Sequence, residues 1–334
     1  MEPGWKPFRL QENLNYTSIT QFTFEGFTDK GNMSALIGSV FLISYIMTLT
    51  GNLFIFYIVR KLQKLHTPMY IMIVNLAVSD IMYSTTISPQ LMHFYFLGIK
   101  EIAFNMCFVQ MFFLHYAACV DSFLMAAMSI DRFVSICFPL RYPSIITNSI
   151  AYIMCVIAWI FGLLVPFVLV LYSFCLPYCG PNKVIHLYCQ HSQVARLACM
   201  DTAYITARAL VLGCTVLLGS FFIIFLSYMK IIMAVLKIKT KEGKTKAFYT
   251  CSTQLIVVTI FYVPRIFVYL ATLFRLYIPT DLNTALGIIY CLFPPLVNPV
   301  IYSFRTHEIR QFILKKIVLR KIDPKHDKIG IFAA

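Results

Sequence analysis

Seven long apolar runs with few or no charged residues dominate this sequence. Four of the runs contain no Asp, Glu, Lys or Arg, and the other three carry at most two such residues each. A helix needs about 20 mainly apolar residues to cross the hydrocarbon core of a bilayer, and none of the runs shows the alternating pattern of a barrel strand. The sequence therefore predicts an all-α membrane protein, a bundle of seven transmembrane helices. The runs are residues 33–59, 68–97, 102–130, 149–175, 209–229, 247–274 and 282–304.

The distribution of basic residues predicts how the chain lies in its membrane. Charged residues make up only 13% of the chain, against about 25% in soluble domains. Most of the 28 Lys and Arg residues fall on one side if the N-terminus is extracellular and the C-terminus cytoplasmic, which fits the positive-inside bias of plasma-membrane proteins. This topology accounts for the net charge of +14, so no nucleic-acid partner is expected.

Three regions follow from this topology: an extracellular tail over residues 1–32, a membrane domain over 33–304 and a cytoplasmic segment over 305–334. The tail carries two glycosylation sequons, at Asn15 and Asn32. In the last segment, apolar residues recur near helical spacing among basic ones. This pattern favours a short amphipathic eighth helix on the inner lipid leaflet over a merely solvated tail.

Four of the eleven cysteines are predicted to face the oxidising extracellular side. They are Cys107, Cys179, Cys189 and Cys199. Four cysteines permit three disulfide pairings, and spacing alone does not choose among them. The remaining seven lie in or next to the runs, where small apolar packing is their expected role.

Several motifs occur in a characteristic order. They are HTPMYIMIVNLAVSD (66–80), MSIDRFVSICFPLRY (128–142), SYMKIIMAVLKIKTKEGKTKAFYTCSTQL (227–255) and PPLVNPVIYSFR (294–305). In order and spacing they resemble the motifs of vertebrate odorant receptors, a branch of the rhodopsin-like G-protein-coupled receptors, over about residues 15–316. The chain departs from the family pattern at Ile130, Phe133, Ser220 and Gln254. These departures suggest a branch distant from the commonest mammalian receptors, such as a fish-type branch.

The resemblance implies a function and two disulfides. A family member binds a small odorant in the outer half of the bundle and activates a stimulatory G protein, which raises cyclic AMP in olfactory sensory neurons. It is not an enzyme. The family pattern pairs Cys107 with Cys189 and Cys179 with Cys199.

The resemblance also implies a switch at the cytoplasmic rim. Asp131 and Arg132 end the third run, where charge is less costly than at mid-membrane. In the family the Asp restrains the Arg when the receptor is off. Tyr228 and Tyr302 match the tyrosines that move towards it when the receptor is on.

Two acids, Asp80 and Asp121, fall in the middle of their runs. An ionised carboxylate there needs a partner, and no Lys or Arg is expected at the matching depth. Two protonated, hydrogen-bonded acids are one possibility. The resemblance favours the other, a bound sodium ion in a cavity that Asn52 and Asn298 also line. No further cofactor is expected.

The resemblance implies a ligand pocket in the outer half of the bundle, and counting helical turns outwards from Arg132 and from Pro264 places residues near it. Arg265 is its most unusual member, because an intramembrane base is a functional candidate. It would pair with an anionic ligand, or else extend outwards to an outer-loop acid such as Asp281. The predicted pocket consists of Leu114, His115, Ala118, Cys119, Ser122, Leu212, Val216, Tyr262, Arg265, Ile266, Tyr269 and Ile288.

Two other functions compete with odorant reception. A non-olfactory receptor for an amine would place an acid in the outer third helix, where this chain has Leu114 and His115. A transporter or channel would show a repeated half and polar rows along a pore, and neither is visible in the sequence.

Overall fold

The computed structural model describes residues 19–27, 34–180, 182–237, 240–274, 276–305, 309–312 and 314. Within these residues, seven helices are long and apolar enough to cross a membrane, which confirms the predicted bundle. They are α1 (Ser34–Lys61), α2 (Pro68–Phe96), α3 (Phe104–Cys137), α5 (Asn148–Phe174), α7 (Ala203–Lys237), α8 (Lys241–Leu273) and α9 (Thr280–Arg305). Two short helices, α4 (Tyr142–Ile145) and α6 (His191–Ala195), lie in the connections.

Helix α3 lies at the centre of the bundle. It packs against α2, α5, α7 and α8 and is the most buried of the seven. Helices α1, α5 and α7 instead expose many large apolar side chains, such as Ile153 and Phe161 on α5. Such surfaces would be a liability in water and are expected of helices that face lipid.

A small three-stranded sheet covers one end of the bundle. Strand β1 (Gln21–Phe24) pairs antiparallel with β2 (Glu101–Ala103) and parallel with β3 (Lys183–Val184), in the order β2-β1-β3. Its alternate residues Phe22 and Phe24 point inwards and are buried. This strand lies within the predicted extracellular tail, residues 1–32, for which the sequence predicts no folded element. Two buried phenylalanines in a four-residue strand are too short a pattern to stand out among polar neighbours.

Two disulfides hold the long loop between α5 and α7 over the same end. Cys107 is bonded to Cys189 and Cys179 to Cys199, with Cα–Cα distances of 5.5 and 5.7 Å. These are the pairings that the family resemblance implied. We call this end of the bundle the outer end, and the end that carries Asp131 and Arg132 the inner end.

A hydrogen-bonded chain reinforces the first disulfide. The backbone N–H of Cys189 donates to Gln110 Oε1 at 2.9 Å, and Gln110 Nε2 donates to the carbonyl of Thr86 at 3.1 Å. The loop is therefore fixed to both α3 and α2.

The inner end is described only in part beyond α9. Residues 309–312 and 314 are helical, and Ile309 is fully buried in the main apolar cluster. The remainder of the predicted eighth helix lies outside the described residues, as do the sequons at Asn15 and Asn32.

The packing of α5 on α3 yields a stability prediction. A Cβ added at Gly162 would lie 2.8 Å from Val120 Cγ2 and 3.3 Å from its backbone nitrogen. Because the backbone cannot easily move away, we expect Gly162→Ala to lower the free energy of unfolding by about 1–3 kcal/mol. Gly219→Ala is the matched control, since nothing lies within 4 Å of that position on α7. Thermal unfolding of the purified receptor measures both, and equal unfolding midpoints would contradict the prediction.

Candidate functional site

A cavity of about 170 Å³ lies in the outer half of the bundle, under the disulfide-bonded loop. Helices α2, α3, α5, α7, α8 and α9 all contribute to its wall. Eight of the twelve pocket residues predicted from the sequence line this cavity. They are Leu114, His115, Ala118, Cys119, Ser122, Val216, Arg265 and Tyr269.

The other four predicted pocket residues lie outside the cavity wall. Leu212 is replaced there by its neighbour Gly213, because one residue along a helix rotates a side chain by about 100°. Ile266 packs against the main apolar cluster. Ile288 packs against a separate cluster around Tyr83 and Leu187. Tyr262 is fully buried between α3 and α7.

Tyr262 connects three helices through its hydroxyl group. The hydroxyl lies 2.8 Å from Ser220 Oγ on α7 and 3.5 Å from the carbonyl of Ser122 on α3. Ser220 in turn donates to the carbonyl of Val216 at 2.6 Å. This serine stands where rhodopsin-like receptors usually have a proline, and α7 continues through it as an unbroken helix. The departure from the family pattern thus supplies a polar link that a proline could not make.

Several wall residues were missed by the sequence analysis. Gln190, His191 and Ser192 come from the loop, directly after the disulfide-bonded Cys189. That disulfide was the available signal, since it holds the next residues over the outer end of α3. Tyr290 also lines the cavity, and its hydroxyl lies 2.8 Å from that of Tyr188 in the loop.

Two histidines, His115 and His191, line the cavity. Burial, followed by the neighbouring His115, lowers the pKa of His191 to about 4. The ring nitrogen Nδ1 of His115 donates to the carbonyl of Met111 at 2.8 Å. His191 therefore adds no positive charge to the cavity at neutral pH, and Arg265 is the one Lys or Arg residue of the described wall.

Arg265 bends towards the inner end of the bundle. Its Nη1 donates to the carbonyl of Phe261, one turn further inwards on α8, at 2.9 Å. The guanidinium carbon lies 3.8 Å from the ring centroid of Phe261 and 5.2 Å from that of Tyr290. The side chain is buried, so it does not extend outwards to the loop acids. Of the two positions considered from the sequence, the structure shows the one facing the cavity.

The two mid-membrane acids lie close together below the cavity. Both oxygens of Asp80 accept from Asn298 Nδ2, at 2.9 and 3.2 Å. Asp121 lies within electrostatic range of Asp80, and among the described residues its Oδ1 has no hydrogen-bond partner. Asn52 is directed elsewhere, since its Nδ2 donates to the carbonyls of Thr48 and Pro295.

Arg265 is also within electrostatic range of both acids. The expectation that no base lies at the depth of Asp80 and Asp121 was therefore wrong. Arg265 comes within range of the acids because its side chain bends inwards, and the position of a residue in the sequence does not reveal the direction of its side chain.

The acid pair has the donor chemistry of a site for a small hard cation. Carboxylate oxygens suit such ions, and the unpartnered Asp121 Oδ1 is an available donor. The part of the chain described here contains no group of three or more His, Cys, Asp or Glu side chains placed to hold a metal ion. The residues present therefore fit a sodium ion better than a transition metal.

The inner end carries a second polar cluster. Tyr142 of α4 donates its hydroxyl to Asp131 Oδ1 at 2.8 Å. Burial, followed by Asp131, raises the pKa of Tyr142, so this hydroxyl keeps its proton at neutral pH. In the described residues, Asp131 Oδ2 and Arg132 Nε have no hydrogen-bond partner.

Tyr228 and Tyr302, the two other residues of the predicted switch, are both buried and lie within electrostatic range of Arg132. The Tyr228 hydroxyl donates to the carbonyl of Cys251 on α8 at 3.4 Å. The structure therefore brings all four predicted switch residues to one place at the inner end.

Comparison with known proteins agrees with this architecture. The family model described as olfactory receptor matches residues 41–321. The chain is 35% identical over 305 residues to human olfactory receptor 10G4, covering 90% of this chain and 96% of the relative. It is 34% identical over 316 residues to mouse olfactory receptor 1M1, covering 93% of this chain and 98% of the relative. This chain is a multi-pass membrane protein that belongs to the olfactory receptor family of rhodopsin-like G-protein-coupled receptors.

Proposed function

We propose that this receptor binds a small odorant in the cavity under the loop and answers by activating a stimulatory G protein, which raises cyclic AMP. The cavity itself is the observation that carries the proposal. It is mostly apolar, with a few polar groups directed into it, as small-molecule sites are. An occupant there contacts α3, α7, α8 and α9, whose inner parts carry Arg132, Tyr228, Cys251 and Tyr302. It can therefore favour one arrangement of the inner end over another.

The proposal includes an orientation in the plasma membrane of olfactory sensory neurons. The outer end faces the extracellular side, and the C-terminus faces the cytoplasm and the G protein. The Lys and Arg bias of the sequence supports this orientation. The two disulfides support it as well, because disulfides persist in oxidising compartments. Membrane lipid surrounds the bundle, nucleic acid has no role, and a fish-type branch stays a prediction.

The ligand that the cavity suits is a small anion with an apolar tail. A cavity of about 150 Å³ accommodates benzene, so about 170 Å³ suits a molecule of roughly six to ten non-hydrogen atoms. Arg265 supplies a buried guanidinium at the floor of the cavity, which is the group that pairs best with a carboxylate. An amine is disfavoured, because the cavity contains this cation and places Leu114 and His115 where an acid would be needed.

Removal of Arg265 tests the ligand class. We expect Arg265→Ala to raise the half-maximal concentration of active carboxylates by about ten- to a hundredfold, the effect of losing a hydrogen-bonded ion pair. The corresponding methyl esters should be affected far less. A cyclic AMP reporter in transfected cells, corrected for surface expression, measures both.

Arg208→Ala is the matched control for this experiment. Arg208 is an exposed arginine of α7 that stacks on Tyr204, outside the cavity wall. Equal losses for acids and esters in Arg265→Ala would refute the proposed anionic ligand while leaving odorant reception intact.

The acid pair below the cavity is proposed to hold a sodium ion. Asp80 and Asp121 supply the charge, and Asn298 and Asn52 lie on the helices that enclose them. Support comes from the buried Asp121 Oδ1, which lacks a partner among the described residues, and from the two oxygens of Asp80 beside it.

The hydrogen bond between Tyr142 and Asp131 generates a prediction about basal signalling. While Tyr142 engages Asp131, Arg132 is free to interact with Tyr228 and Tyr302. Tyr142→Phe removes the competing hydroxyl, so Asp131 becomes available to restrain Arg132. We expect basal cyclic AMP to fall by about two- to tenfold, within the value of one charge-assisted hydrogen bond.

Tyr152→Phe provides the control, since Tyr152 is exposed near the inner end of α5. Arg132→Ala gives the signal of an uncoupled receptor. Basal cyclic AMP that rises in Tyr142→Phe would show that this hydrogen bond restrains the receptor instead of releasing Arg132.

A further inference from the structure

Arg265 lies between the ligand cavity and the acid pair Asp80 and Asp121. Its guanidinium is part of the cavity wall, and it is also within electrostatic range of Asp80 and Asp121 below. A buried arginine in a transmembrane helix usually extends towards the nearest water. This one turns the other way, with Nη1 bonded to the carbonyl of Phe261 one turn further inwards.

The neighbours of Arg265 show how deep in the bundle its guanidinium lies. Tyr83, three residues outwards from Asp80 on α2, lies within electrostatic range of the guanidinium, and its ring centroid is 5.9 Å from the guanidinium carbon. Cys291 and Tyr290 of α9 flank the same position from the side. The guanidinium therefore sits directly outside the acid pair, with the cavity on its other side.

With both acids ionised, the charges in this region do not cancel. Two buried carboxyl groups then face one buried guanidinium, and Asn298 satisfies Asp80 with a neutral amide. Asp121 Oδ1 has no hydrogen-bond partner in the described part of the chain. Because charges interact more strongly here than in water, the affinity of the acid pair for any further cation depends on how fully Arg265 neutralises it.

We propose that Arg265 is a shared counter-ion, which neutralises one charge of the acid pair in the ligand-free receptor and is withdrawn by an anion bound in the cavity. An anionic ligand and a sodium ion at Asp80 and Asp121 then favour each other's binding, and the coupling is reciprocal. The statement about the ligand rests on the proposed function. The statement about Arg265 and sodium rests on the proposed sodium site alone, since it concerns the receptor without ligand.

Charge substitutions in the ligand-free receptor test the first statement. The full-length receptor is purified, and its thermal unfolding midpoint is followed as sodium replaces N-methyl-D-glucamine at constant ionic strength and pH. With both acids ionised, Arg265, Asp80 and Asp121 carry a summed charge of −1 in the wild type, −2 in Arg265→Gln and 0 in Asp121→Asn. The half-saturating sodium concentration should be lowest in Arg265→Gln, intermediate in the wild type and highest in Asp121→Asn.

We expect the half-saturating sodium concentration of Arg265→Gln to be about tenfold lower than that of the wild type. This is the effect of one unit charge at a partly screened separation. Arg208→Gln, which removes an exposed guanidinium from α7, should match the wild type. If Arg265→Gln and the wild type respond equally to sodium, Arg265 is only a packing and ring-stacking residue, and the proposal is overturned.

Asp121→Asn keeps the proposal testable if Arg265→Gln does not fold. In this variant the summed charge of the three positions is zero, so sodium should no longer raise the thermal unfolding midpoint. A sodium response that survives in Asp121→Asn, or one that is absent from both the wild type and Arg265→Gln, overturns the proposal as well.

Hexanoate and methyl hexanoate test the second statement as matched probes of the cavity. In a binding assay on the wild-type receptor, sodium should tighten hexanoate binding about three- to tenfold and leave methyl hexanoate binding unchanged. Equal sodium effects on the two probes overturn the reciprocal coupling. If hexanoate does not bind at all, the proposed anionic ligand fails together with the coupling, whereas the sodium order of the ligand-free variants still decides the role of Arg265.

Discussion

Hydrocarbon solvates neither an isolated charge nor an unpaired backbone group, so each charge inside this bundle must be satisfied by another part of the protein. Asp80, Asp121 and Arg265 come from three different helices, and all three are buried. They meet in one region because no other surroundings at that depth would stabilise them. The ligand cavity rests directly on this group, so its floor is charged although most of its wall is apolar.

The outer cover of the cavity depends on segments that are distant in sequence. Strand β1 pairs with both β2 and β3, and Phe22 and Phe24 pack in the cluster that contains Cys107 and Cys189. The disulfide between those cysteines then directs the next residues, Gln190 and His191, over the cavity. A substitution in strand β1 can therefore shift the loop residues over the cavity, although β1 itself does not line the cavity. In this receptor the tail is part of the folded domain, at least over residues 19–27.

The sequence predicted those features that depend on composition along one helix. Long apolar runs with few or no charged residues located all seven spans, because a helix in lipid must be apolar over about 20 residues. Turn counting from Pro264 also placed Arg265 and Tyr269 in the cavity wall. It failed for Leu212 and Ile266, because a shift of one residue along a helix rotates the side chain by about 100° and decides whether it faces the cavity.

Features that depend on contacts between distant segments could not be predicted in the same way. The sheet rests on backbone pairing of three loops, which leaves little trace in residue type. The position of Tyr83 and Tyr290 in the wall depends on the relative rotation of α2 and α9. The inward bend of Arg265 is a choice of side-chain rotamer, and it brings the guanidinium within electrostatic range of Asp80 and Asp121.

Helix α8 connects the cavity to the inner end through neutral hydrogen bonds. Tyr262 links it to Ser220 and Ser122, three residues inwards from Arg265. Two turns further on, Gln254 Nε2 donates to the carbonyl of Met125 on α3 at 3.2 Å, and Gln254 stands where the family usually has a histidine. Near the inner end, Tyr228 donates to the carbonyl of Cys251.

Each of these bonds contributes only about 0.5–1.5 kcal/mol to the position of α8. Moving the helix away from α3 and α7 therefore costs a few kcal/mol in hydrogen bonds, a sum that the differential affinity of one small ligand can supply. A stronger attachment, such as a buried ion pair between α8 and α3, would place the two arrangements too far apart in free energy for a ligand of about ten non-hydrogen atoms. The links along α8 are neutral, and the one buried charge among its described side chains lies at the cavity floor, which fits the small ligand proposed for this receptor.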